Sequence, residues 1–542
     1  MKNKSSFFIK GFKHTAFITF LSRITGFIRD VFIAAFLGAG VYSDIFLIAF
    51  KLPNLFRRIT AEGALTSALL PIYSLLIEKK GKSFANEFFK LFTIRVVVYL
   101  SLLIIILEIF MPFLIFVLAP GFISNDIVVS QIITLSRITI IFMPLISIVA
   151  LLGVVTNVSG RFWPLAFTPI ILNFCLIISC YFISDFEFSK SLPLAISTVV
   201  AGFFQLIFMI IIIKKFHILS FKNRNFIILS TQDKNDIKFY IKKTWTKFIP
   251  AAFGGGILQI NLLVDTILAS LLGFGSVSYL YFADRIAQLP LGIIGIALST
   301  SLLVSLSKSV ASNDIKEFSK QLIISLKIGL FFSIPAAFVL IFFPEIIVSV
   351  LFERGEFGLN EKNGTIQALI AYSFGIPAFI ILKSCQPAFL AEGNTKTPMY
   401  IGGILLILNI IFSLILMNYY SHAGIALATS ISSWIGCVIY INLLVKNGKI
   451  LKTKSKKNIP LSNLFSIFIY AAKIILISSF MTLTMKVFLH YIKFYEINEF
   501  ITLSFLIILG LLMYFLTCGM LGYIPQELFK KNRVKVKKVN KI

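Results

Sequence analysis

The 542-residue chain is short of charge. Asp, Glu, Lys and Arg together make up 14% of it, against 58% hydrophobic residues and a mean hydropathy of +0.93. So little polar surface cannot cover a water-soluble globule of this length, which excludes a soluble enzyme or soluble binding module. Acids are scarcer still, 23 against 51 Lys and Arg, for a net charge of +28. Cysteine and histidine are few: five Cys, all inside apolar runs with no Cys-x-x-Cys pair, and four scattered His. That argues against a zinc site or redox centre. There is no Walker A loop, nucleophile–base pair or metal-dependent catalytic motif, so transport is favoured over catalysis and no cofactor is expected.

What fills the chain is a succession of apolar runs long enough to cross a bilayer, about 20 residues each. Fourteen spans are expected, near 15–38, 41–76, 94–121, 127–157, 163–184, 190–213, 246–272, 276–305, 321–349, 365–391, 399–418, 422–445, 464–490 and 498–523. The fold class is therefore an all-α polytopic membrane protein. Lys and Arg fall in alternate loops: four within 1–14, five within 79–95, nine within 214–247, three within 308–320, six within 446–457 and seven from Lys530 onward. The intervening loops hold only Lys190, Arg354, Lys362 and Lys493. By the positive-inside rule both termini are cytoplasmic. The basic segments fix topology and touch anionic phospholipid at the cytoplasmic loops; nucleic acid is not an expected partner.

An internal repeat organises the spans. Laid without a gap, "RDVFIAAFLGAGVYSD" (29–44) and "VDTILASLLGFGSVSY" (264–279) share Asp30/Asp265, Ala34/Ala269, Leu37/Leu272, Gly38/Gly273, Gly40/Gly275 and Ser43/Ser278, at an offset of 235 residues. Spans one and seven are copies running in the same direction, which implies two parallel lobes of six spans with a central site between them, plus two further helices. The expected divisions are 1–220, 221–450 with the basic loop 214–247 as linker, and 451–542 with the basic tail.

Charges inside the spans mark the site, because lipid cannot accept them. In the first span Arg23 and Asp30 share a helix face and Arg29 lies about a third of a turn away. The second carries Asp44, Lys51, Arg57 and Arg58, with Glu62 one turn after Arg58, and Pro53 that should break or bend the helix. The eighth supplies Asp284 and Arg285. An excess of guanidinium in an interior cavity suits phosphate oxygens, which arginine holds by paired hydrogen bonds. Lys473 and Lys486 look isolated and read as snorkelling or helix-packing residues. In the second lobe Asp265 needs a partner: either Asn409 and Thr429 supply oxygens to a bound sodium ion, a site weakened by Ser413 standing one turn beyond Asn409 where a further acid is expected, or Asp265 is protonated or hydrogen-bonded to its helix neighbours.

"SRITGFIRDVFIAAFLGAGVYSDIFLIAFKLPNLFRRITAEGALTSALLPIY" and "YFADRIAQLPLGIIGIALSTSLLVSLSK" resemble the MurJ (MviN) lipid II flippases of bacteria, in the multidrug/oligosaccharidyl-lipid/polysaccharide exporter superfamily. The likeness implies a MATE-like fold in the bacterial inner membrane and, as substrate, undecaprenyl-pyrophosphate-linked disaccharide-pentapeptide, moved from the inner to the outer leaflet by alternating access for cell-wall synthesis. The alternative is an exporter of another lipid-linked oligosaccharide or anionic substrate. The family's essential arginines match Arg23, Arg29, Arg57 and Arg285, with Asp30 and Asp44 as further polar positions. The implied mechanism has Arg29 and Arg285 hold the pyrophosphate, Asp30 orient them, and Arg23 and Arg57 draw the headgroup in. Coupling to sodium, a proton or the membrane potential is the accompanying expectation.

Overall fold

The structure is a computed structural model. It describes residues 2–59, 65–183, 188–219, 230–449, 462–492, 495 and 497–525, with side chains for all of these except 2–13, 59, 253–258 and 462–464. Every regular element among them is a helix. In chain order these are α1 (Lys2–Leu37), α2 (Val41–Ile59), α3 (Leu65–Ile109), α4 (Met111–Leu118), α5 (Asp126–Ile140), α6 (Phe142–Val158), α7 (Trp163–Cys180), α8 (Leu192–Lys215) and α9 (Thr231–Ser270). There follow α10 (Ser276–Pro290), α11 (Ile296–Ala311), α12 (Ile315–Phe342), α13 (Pro344–Phe352), α14 (Leu359–Ser373), α15 (Ile376–Leu390), α16 (Lys396–Lys446), α17 (Ser462–Ile492) and α18 (Glu499–Met520).

Local chemistry sets several boundaries. Asn125 and Asp314 cap α5 and α12, their side-chain oxygens accepting from the N–H of Val128 at 3.2 Å and of Glu317 at 2.9 Å. Gly81 at φ +83° breaks α3, and Ser421 at φ +50° breaks α16, so each of these is two rods. Pro53 does not end α2, which runs through it as one helix: a proline costs one backbone hydrogen bond, and its fixed φ is itself helical.

Among the described residues nine helices are long and apolar enough to cross a membrane, or ten if α14 and α15, which meet at 43°, form one span. This does not reach fourteen. The apolar part of α1 contains Arg23, Arg29 and Asp30, α2 carries Asp44, Lys51, Arg57 and Arg58, α9 counts only as the short apolar stretch Gln259–Ser270 because 253–258 lie outside its described side chains, and α16 counts once despite its break. The number fourteen rests on the sequence; that the chain is an integral, multi-pass membrane protein rests on both. Exposed Phe, Ile and Leu along α3, α8, α16, α17 and α18 form surfaces suited to lipid.

The residues pack into two compact units, Met1–Arg285 with Leu351–Ala368 and Leu406–Ala428, and Ile286–Val350 with Leu369–Leu405 and Thr429–Ile542. They follow packing rather than the repeat, so the divisions at 220 and 450 remain a reading of the sequence. In the first unit α1 lies on α7, α7 on α8, α2 on α5, and α3 on α6 and α9. In the second, α12 packs on α11, α15 and α17, and α17 on α18.

The repeat has a structural counterpart inside the first unit. Val41 and Ser276, which open α2 and α10, stand at the 235-residue offset, and Gly38 and Gly273 before them both have positive φ. The end of α1 is also closed against the segment after α13. The Glu356 N–H donates to the Ala35 carbonyl at 2.9 Å, and a Cβ on Gly355 would stand 2.1 Å from that same oxygen, so only glycine allows the two backbones to meet.

Candidate functional site

All contacts of the charged cluster lie within the first unit. Asp30 is buried, 1% exposed, and sits beside the half-buried Arg29 on α1. Arg29 Nε and Nη2 both donate to Asp30 Oδ1, at 3.0 and 2.6 Å. On α10 the Tyr281 hydroxyl donates to the same Oδ1 at 2.8 Å, and Arg29 Nη2 reaches that hydroxyl at 3.2 Å. One turn further on, Arg285 brings its Nε to 3.3 Å from Asp30 Oδ2 and lays its guanidinium over the Tyr281 ring, 4.7 Å from the centroid. The Arg285 Nε contact is ionic only, since that nitrogen has no hydrogen-bond partner. One carboxylate thus bridges two guanidiniums, leaving a net positive charge.

Packing of α1 on α7 adds a member that sequence reasoning missed. The buried Asn173 accepts from Arg29 Nη1 at 3.1 Å, while its own amide donates to the Ser22 carbonyl at 3.2 Å and the Thr25 hydroxyl at 3.0 Å. Its side chain is fixed from both ends and so aims the guanidinium. Tyr281 was missed too. The available signals were that Asn173 is the one amide in its apolar run and that Tyr281 precedes Arg285 by one helical turn.

The remaining expected residues fall elsewhere. Arg23, earlier on α1, is exposed, whereas Asp30 on the same helical face is buried. Arg57 turns to its own helix, donating to Asn54 Oδ1 at 2.9 and 3.1 Å, and Arg58 Nη1 donates to Gln259 Oε1 at 3.3 Å. Asp284 is half-buried beside Arg285. Glu62 lies outside the described residues.

Asp44 is fully buried and serves α10. Its Oδ2 accepts from the Gly275 N–H at 2.6 Å, and its Oδ1 accepts from the Ser278 N–H at 2.8 Å and the Ser278 hydroxyl at 2.6 Å. These donors form the first turn of that helix, where unpaired N–H groups and the helix dipole favour a negative charge.

Of the residues expected to hold a cation, Asp265 is half-buried and accepts from Asn261 Nδ2 at 3.4 Å. Asn409 is buried in the first unit, and Thr429 belongs to the second. Ser413, one turn after Asn409, is buried with a hydroxyl that has no hydrogen-bond partner. Among the described residues no group of three or more His, Cys, Asp or Glu is placed to hold a metal ion.

A family model for lipid II flippase MurJ matches residues 33–516. A probable lipid II flippase MurJ of Rickettsia prowazekii (strain Madrid E) is 37% identical over 479 residues, which is 88% of this chain and 89% of the relative. One of Rhizobium meliloti (strain 1021) is 34% identical over 81% of each chain. Among solved structures, a lipid II flippase MurJ in an inward closed conformation superposes with a TM-score of 0.73 at 28% identity, covering 95% of this chain and 99% of that one. An inward-facing multidrug resistance MATE family transporter of the MOP superfamily superposes at 0.62 with 14% identity, covering 80% of this chain and 96% of its own, a likeness of fold alone.

Proposed function

The chain belongs to the lipid II flippase MurJ family, and we propose that it carries lipid II from the cytoplasmic to the outer leaflet of the bacterial inner membrane for cell-wall synthesis, as a transporter and not an enzyme. The observation that carries this reading is the pair of guanidiniums, Arg29 and Arg285, held on one buried carboxylate. A pyrophosphate offers the same oxygen chemistry as that carboxylate, so Asp30 stands where a phosphate oxygen would bind and keeps both arginines aimed in its absence. Asn173 and Tyr281 hold the geometry during the exchange. Arg23 and Arg57 draw the headgroup in from the cytoplasm, and the polyprenyl tail stays in the bilayer while the protein alternates its access.

Asp44 acts through the first turn of α10 and not by touching the pyrophosphate. Asp265 and Asn409, both in the first unit, are oxygen donors suited to a coupling cation, and the Ser413 hydroxyl one turn from Asn409, which has no hydrogen-bond partner, supports a polar guest there; a proton on Asp265 is the other form of the same coupling. The orientation, with both termini and the basic loops cytoplasmic, follows from the alternation of Lys and Arg. Those loops meet anionic phospholipid.

The test is complementation of a strain depleted of its lipid II flippase. The wild-type chain should restore growth, and Arg29→Ala and Arg285→Ala should not at equal membrane levels. Failure of the wild type would favour an exporter of another lipid-linked oligosaccharide. Rescue by both alanine variants would remove the site.

A further inference from the structure

The second unit contains a basic and aromatic cluster that the carrier site does not use. Lys473 on α17 places its Nζ 4.6 Å from the centre of the Tyr523 ring, just past the end of α18. Lys327 on α12 places its Nζ 5.6 Å from the centre of the Tyr470 ring. The two halves are tied together, since the Tyr470 hydroxyl donates to the Tyr523 carbonyl at 3.1 Å. All four side chains are half-buried. Neither lysine has a carboxylate within 4 Å among the described residues, although Lys362, Lys449 and Lys80 all do. Two half-buried ammonium groups on packed helices, each over an aromatic ring and neither with an acid within 4 Å among the described residues, keep their positive charge open to an anion.

The place in the fold says which anion. Tyr523 follows the last residue of α18 by three positions, and Lys327 lies a little beyond the charged first turns of α12, so the cluster sits where apolar helix gives way to polar chain. The flanks are apolar and uncovered: Phe468 and Leu476 on α17 are 73% and 70% exposed, and Met520 on α18 is 87% exposed. An ion from solution has no use for those flanks, whereas acyl chains do. Lysine is a point donor without the fork of arginine, which suits the single charge of a phosphodiester better than a pyrophosphate. We propose that Lys327, Tyr470, Lys473 and Tyr523 form a headgroup site for an anionic phospholipid, its phosphodiester held by the two ammonium groups and its acyl chains laid along α17 and α18. The orientation argued above decides only the leaflet, which is the cytoplasmic one.

Native mass spectrometry of the full chain in detergent, titrated with dioleoyl phosphatidylglycerol or dioleoyl phosphatidylcholine, reads this without any flipping. The wild type should retain phosphatidylglycerol in preference. Each Lys→Gln change at 327 and 473 should weaken that binding about 5-fold, and the pair about 30-fold, at roughly 1 kcal/mol per lysine near a lipid surface. Phosphatidylcholine binding should not move. Lys486→Gln, whose ammonium lies over Phe342 near the other end of α17, should behave as wild type, and Lys327→Arg with Lys473→Arg should keep the preference. Equal retention of both lipids by the wild type would overturn the proposal even if the glutamine pair fails to fold. So would unchanged phosphatidylglycerol binding in that pair. A third arm uses undecaprenyl pyrophosphate: if it displaces phosphatidylglycerol and its own binding falls in the glutamine pair, the cluster belongs to the carried lipid and not to a phospholipid.

Discussion

Asp44 and Ser278 meet through a single carboxylate oxygen that accepts both the backbone N–H and the hydroxyl of the serine, at 2.8 and 2.6 Å. A residue of α2 thereby does for α10 what a side chain just before the helix ordinarily does. The repeat explains the asymmetry: the position equivalent to Asp44 is Tyr279, so α2 has no matching carboxylate supplied from α10.

Removing that carboxylate should cost stability before it costs recognition. Asp44→Ala leaves the Gly275 and Ser278 N–H groups buried without this acceptor, a loss of about 1–3 kcal/mol for each unsatisfied group, while the Ser278 hydroxyl keeps the Gly275 carbonyl. Asp44→Asn keeps one acceptor and should lose less. Thermal unfolding of the purified protein in detergent orders the three. If Asp44→Asn folds normally yet binds lipid II as poorly as Arg29→Ala, Asp44 touches the substrate and the capping account is wrong.

At the arginines, geometry should matter more than charge. Arg29 uses three nitrogens at once, on Asp30, Asn173 and Tyr281, and an ammonium cannot reproduce that fork. Arg29→Lys and Arg285→Lys should each lose most lipid II binding despite keeping the charge. Tyr281→Phe, which deletes the hydroxyl that donates to Asp30 and accepts from Arg29, should weaken binding about tenfold. Wild-type affinity in both lysine variants would reduce the site to a positive potential.

Asp265 lacks what Asp30 has. At equivalent points of the repeat, Arg29 precedes one carboxylate and Val264 the other; Asp265 accepts from the Asn261 amide and has the Lys51 ammonium as a charged neighbour. Asp265→Asn should slow flipping or change its ion dependence while leaving lipid II capture nearly intact. Flipping by purified protein, in sodium and in sodium-free buffer at two pH values, is the measurement. Wild-type behaviour in every condition would make Asp265 structural.

Orientation can be read with thiols. Cysteine in place of Gly40 or Gly358 should react with an impermeant reagent from outside the cell, and cysteine in place of Asn225 or Ser455 should not. The native cysteines are buried or half-buried, so the background should be low. The opposite pattern reverses the topology.

The charged part of the site was legible in the sequence because charge in an apolar run is rare. Arg29, Asp30 and Arg285 each stood out on that ground alone, and the structure joins them. Asn173 and Tyr281 did not, because an amide or a phenol in a membrane helix is tolerable by itself and acquires meaning only from what the facing helix brings. Arg57 and Arg58 were equally conspicuous, but a long side chain has many places to go, and theirs include Asn54 and Gln259. The fold was legible as apolar runs with an offset of 235 residues. The span count was blurred by the same charges that mark the site.

The bridge of Arg29, Asp30 and Arg285 has an odd charge, one positive in excess. Pyrophosphate in a diester carries two negative charges, so these three side chains, counted by themselves, pass from plus one to minus one when they take it up. A transmembrane voltage, which acts on each elementary charge with about 2.3 kcal/mol per 100 mV over the full crossing, then pushes the loaded and the empty site in opposite directions. Flipping in proteoliposomes should accordingly rise with an imposed inside-negative potential even in Asp265→Asn. With the interior negative, the filled site would be drawn outward and the vacant one back inward, so that the voltage would add to whatever drive a cation or proton at Asp265 supplies.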